Sequence, residues 1–122
     1  MNTRWLGLLV VIVAVFGVFG AERSVTEQPR DETTRAAEAV AQRVGCLDCH
    51  SVDKKKVGPA FRDVAARYKS DPDARADLIR KIKSGGKGNW VETTGGKSMP
   101  AHSALASEAE FSQLVGWILS RQ

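Results

Sequence analysis

GCLDCHSVDKKKVGPAF, residues Gly45 to Phe61, holds both cysteines of a 122-residue chain and one of its two histidines. Cys46 and Cys49 stand one helical turn apart, with His50 directly after them. A zinc site needs a full tetrahedral ligand set, and the chain has no second cysteine pair and no second histidine nearby. A thioredoxin-like redox pair belongs to a βαβ context, which the sequence does not offer. A structural disulfide is possible in an exported protein, but this one would close a very small loop and constrain little. Covalent haem uses all three side chains. In C-x-x-C-H the thiols add to the vinyl groups, and the histidine becomes an iron ligand.

Downstream of this stretch, the pattern is helical. Pro59 stands at the entry of a helix with Phe61, Val64, Ala65 and Tyr68 on one face. Asp71 as N-cap, Pro72 at the first helical position and Asp73 in the first turn open another, with Leu78, Ile79 and Ile82 buried. Gly85 and Gly86 end it, and Gly85 to Pro100 reads as a loop. Ser107 and Glu110 form a capping box before a last helix with Phe111, Leu114, Val115, Ile118 and Leu119 on one side. Upstream, Thr33 to Val44 is a short amphipathic helix ended by Gly45. No segment alternates with period two, so the domain is predicted all-α, with about four short helices and long loops. Loops this long in a small domain suit a core filled by something other than protein.

The N-terminus carries the uncharged apolar run Trp5 to Ala21 behind Arg4. It reads as an export signal, either a membrane anchor or a cleaved signal peptide. Residues 22–32 are polar and read as a linker, leaving 33–122 as the domain. Without the apolar run the remaining core is thin, and a domain of that size often needs a covalent or metal staple. The formal charge is +4 with a pI of about 9.3. That suits an acidic protein partner or a membrane surface. No Arg/Lys stripe with interleaved aromatics argues for nucleic acid. No residue set suggests a catalytic triad, so the chain reads as a carrier and not an enzyme. A haem sensor or peroxidase-like module is the alternative, and it would need a displaceable sixth iron position.

For that sixth position, the chain offers few donors. Met99, in GGKSMPAH, is the only methionine besides Met1, and His102 is the only other histidine. A lone methionine in a polar glycine-rich loop is poor core filler, so Met99 is the favoured ligand, with His102 or an open position as alternatives. Thioether ligation raises an iron potential.

From about Thr33 to Gln122 the sequence resembles the small bacterial class I cytochromes c, monohaem carriers with His/Met ligation that take electrons to terminal oxidases or nitrite reductases. GCLDCH resembles the family's haem-binding segment and SMP its methionine segment. VGPAF resembles the proline loop, which implies that the Pro59 carbonyl accepts a hydrogen bond from the His50 ring. KSGGKGNW resembles the segment before a tryptophan that bonds a haem propionate, which implies that role for Trp90. EFSQLVGWILS resembles the family's last helix, with Trp117 near the first. His102 stands where relatives often have asparagine, and VETTGGK is longer than in the smallest members. The resemblance implies a monomer on the periplasmic side of the cytoplasmic membrane. Its expected partners are redox proteins with acidic docking surfaces, met through lysines 54–56, 81, 83, 87 and 97.

Overall fold

The computed structural model describes residues 28–122. Six helices follow one another: α1 (Gln28–Arg43), α2 (Cys46–Cys49), α3 (Phe61–Arg67), α4 (Ala74–Ser84), α5 (Val91–Thr94) and α6 (Glu108–Leu119). No strand occurs among the described residues. One isolated antiparallel bridge joins Gly86 to Met99.

Helix α6 is the centre of the packing. It touches α1, α3 and α4. Its Phe111, Leu114 and Val115 are the largest fully buried side chains. Each such burial contributes about 1.5–3 kcal/mol. Against them lie Ala37 and Ala41 of α1, both with no exposed surface. Alanine at those two positions lets the α1 and α6 backbones approach closely. The capping box expected at the start of α6 is present. Ser107 Oγ accepts from the Glu110 N–H, and Glu110 Oε2 accepts from the Ser107 N–H at 2.8 Å.

Several boundaries differ from the sequence reading. Helix α1 begins at Gln28, inside the stretch read as linker, and not at Thr33. Proline is accepted in a first helical turn because its missing N–H has no partner there anyway. Asp31 and Arg35 then pair across one turn at 2.5 Å. Helix α4 begins at Ala74, with Asp73 as N-cap. Asp71 Oδ1 instead accepts from the Asp73 N–H at 2.9 Å, closing a turn that delays the helix. The glycine-rich loop contains α5, and the cysteine segment is itself the short helix α2. Among the described residues the helices therefore number six, against the about four expected. The anchor or signal call on residues 1–21 lies outside the described residues. Among the described residues no helix is long and apolar enough to cross a membrane.

The segment 85–107 is fastened at both ends. Gly86 N–H donates to Met99 O at 2.8 Å, and Met99 N–H donates back at 3.1 Å. Further on, His102 N–H reaches Ile82 O, and Arg43 Nη1 reaches Leu105 O. Gly85 has φ +68°, and a Cβ there would stand 2.5 Å from Met99 O and 2.8 Å from Ala101 N. Only glycine permits that crossing of α4's end with the methionine segment.

Candidate functional site

Two thiols, one imidazole and one thioether meet at a single apolar cavity. Cys46, Cys49 and His50 reach it from α2 and the residue that ends it, and Met99 from the fastened loop. Pro59 and Trp90 also line it, so all six residues singled out in the sequence stand together. His102 does not line it. It is 7% exposed, with a buried Nδ1 that has no partner.

The His50 ring is fixed from three sides. Its Nδ1–H donates to the Pro59 carbonyl at 2.7 Å. Phe61 stacks on it at 5.2 Å between centroids, with planes 15° apart. Gly58 lies flat against it: a Cβ at that position would stand 2.8 Å from both ring nitrogens. The Gly58 N–H donates to Cys49 O at 2.8 Å, tying this loop back to the cysteine helix. With Nδ1 held by Pro59, Nε2 is the ring nitrogen left to bind iron.

Burial sets the protonation of the site. It pulls His50 below the ordinary imidazole value, against the raising effect of the Pro59 hydrogen bond, with His102 and Lys56 lowering it further. The ring is therefore neutral at pH 7, the form that ligates metals. Burial pushes the Cys46 thiol up to about 11, and Asp48 and Cys49 add to that. Neither cysteine is in a disulfide. Among the described residues no cluster of three or more His, Cys, Asp or Glu could hold a bare metal ion.

This donor set fits a covalently attached haem. Two free thiols stand beside a fixed imidazole, a thioether lines the same space, and the remaining walls are largely aliphatic, including Leu78, Ile82 and Ile118. Sequence reasoning did not foresee Arg67, whose guanidinium lies over the Trp90 ring at 4.7 Å. Nor did it foresee Gly58 or Thr94 as wall residues. Position 67 is far from 90 in the chain, and only the turn of α3 brings them together. Of the lysines expected at the rim, Lys81, Lys87 and Lys97 line the cavity. Lys56 donates to Leu47 O, and Lys83 is paired with Glu108.

Residues 34–122 match the family model described as cytochrome c. The chain is 43% identical to cytochrome c2 of Rhodocyclus tenuis over 83 residues, covering 67% of this chain and 88% of that one. It is 40% identical to cytochrome c-552 of Hydrogenobacter thermophilus over 110 residues, covering 90% and 94%. The crystal structure of cytochrome c552 from Nitrosomonas europaea superposes with a TM-score of 0.61 at 38% identity, covering 70% of this chain and 99% of that one. With a C-x-x-C-H segment on an all-helical frame and a match over nearly its whole described length, this chain belongs to the small bacterial class I monohaem cytochromes c, which bind one covalent haem c.

Proposed function

We propose that this monohaem electron carrier passes single electrons between respiratory-chain proteins on the periplasmic side of the cytoplasmic membrane, ending at a terminal oxidase or reductase. The observation that carries the reading is the cavity itself, where Cys46, Cys49 and His50 meet Met99 from a separate, fastened loop. Bound haem supplies the one-electron couple. Cys46 and Cys49 would hold it by thioether bonds, and His50 and Met99 would be the donors to its iron. Pro59 and Gly58 keep the imidazole plane fixed, so ligation changes little between oxidation states. The aliphatic walls would keep water from the iron, and Trp90 at the cavity wall would donate to a haem propionate. The apolar run Trp5 to Ala21 serves as export signal and tether, with Arg4 left in the cytoplasm.

Met99→Ala tests this assignment. The variant loses the weak long-wavelength sulfur-to-iron absorption, and its potential falls, by about 59 mV for each tenfold change in relative ligand affinity. The wild type takes up no carbon monoxide at equilibrium, and the variant does. An unchanged spectrum and potential in Met99→Ala removes the sulfur from the iron. Ready carbon monoxide binding by the wild type would instead make the chain a haem sensor.

A further inference from the structure

The described arginines fall into two groups. Arg35, Arg43, Arg62 and Arg80 each pair with a carboxylate, and Arg67 covers Trp90. Among the described residues, Arg30, Arg75 and Arg121 have no carboxylate partner, and all three line one cleft between α1, α4 and the end of α6. The rest of its wall is Thr33, Thr34, Gln113, Gly116, Trp117 and Ser120, with no acidic side chain. The cleft shares no residue with the haem cavity.

Two of the guanidiniums are fixed by contacts other than salt bridges. Arg75 Nη2 donates to Ser112 O at 3.0 Å and lies across Gly116. Arg121 stands over the Trp117 ring at 5.2 Å and donates to Trp117 O and Ser120 Oγ. Guanidiniums on one cleft with no carboxylate beside them make a positive potential that favours an anion. Trp117 is 4% exposed and walls this cleft beneath Arg121.

We propose that this cleft binds a phosphate-type oxyanion, gripped by Arg30, Arg75 and Arg121. Planar guanidinium forks match the tetrahedral oxygens of phosphate and can each engage two of them. The Thr34 hydroxyl and the Gln113 amide supply neutral donors around it. The same chemistry is offered by free phosphate and by the phosphodiester of an anionic lipid headgroup. In the sequence, Arg30 stands nine positions after the apolar run of residues 5–21.

Calorimetric titration of the full-length holoprotein in uncharged detergent tests the site. The probes are inorganic phosphate and glycerophosphoglycerol, the water-soluble headgroup of an anionic lipid. Saturable binding of a single anion is expected. Uptake of phosphate alone assigns a free oxyanion, and uptake of the diester assigns a headgroup. Arg30→Gln and Arg121→Gln each weaken binding by about tenfold, the scale of one charge-assisted hydrogen bond. Both changes are at surface positions, so the fold is retained. Arg62→Gln, which removes a guanidinium paired with Asp53 outside the cleft, leaves the affinity unchanged. Absence of saturable binding of both anions overturns the proposal. So does a cleft variant that binds like the wild type, or an equal loss in Arg62→Gln.

Discussion

At Gly58 a single hydrogen atom decides whether the axial imidazole keeps its place. The ring has no other position, because Pro59 holds Nδ1 and Phe61 covers a face. Gly58→Ala would set a methyl group 2.8 Å from both ring nitrogens. Overpacking of this kind costs about 1–3 kcal/mol. The expected result is a lower denaturant midpoint for the ferric holoprotein, together with shifted haem methyl resonances from a turned imidazole. An unshifted spectrum would mean that the loop yields and the ring does not. Arg67→Gln is milder. It removes a cation–π contact of about 0.5–2 kcal/mol from Trp90, so stability falls by no more than that, while the indole N–H resonance broadens or moves. Cys46, Cys49 and His50 were legible because their chemistry is written in local spacing. Gly58 and Arg67 were not, since each acts on a residue that only the folded chain brings near.

The last helix was the most legible element, because it carries both a capping box and a continuous apolar face. Ser107→Ala removes the oxygen that accepts from the Glu110 N–H, and the expected loss is about 1 kcal/mol in a thermal or denaturant melt. Glu110 adds a pH dependence. The Ser107 backbone N–H and hydroxyl, then Arg43, hold its carboxyl below the ordinary value in the folded state. A folded value lower than the unfolded one means that this contribution is present above the unfolded value. It is lost as pH falls through the folded value. Glu110→Gln should therefore show a flatter stability profile on the acid side, measured as melting temperature against pH. Parallel profiles for the two proteins would dismiss the carboxylate. The weakly patterned elements were read less well. Helix α5 spans four residues, too few to show a period, and the early turns of α1 are polar, with an exposed Asp31–Arg35 pair and no apolar signal.

Seen whole, the molecule carries three lysines without a carboxylate partner where the cavity opens. From Cys46 onward there are 13 Lys/Arg and 9 Asp/Glu, and Lys81, Lys87 and Lys97 stand at the cavity wall beside Val57, which is 43% exposed. Charge of this sign steers encounter with an acidic surface and is screened over about 10 Å at 0.1 M salt. The second-order electron-transfer rate to an acidic partner protein should fall as salt rises, read by stopped-flow absorbance. A rate that climbs with salt would make the contact apolar or the partner basic. The fold class was legible from helical periodicity and missing strand patterns, and the cofactor from one short segment. How the pieces meet was not, because contacts between distant elements leave no local period. The position of α6 has a further consequence, for the order of assembly. It is the shared partner of α1, α3 and α4, and those three form no helix pair with one another. Until α6 docks they have no helix in common, so the protein part of the frame closes in one step. Truncation ahead of Phe111 would strand all three helices at once.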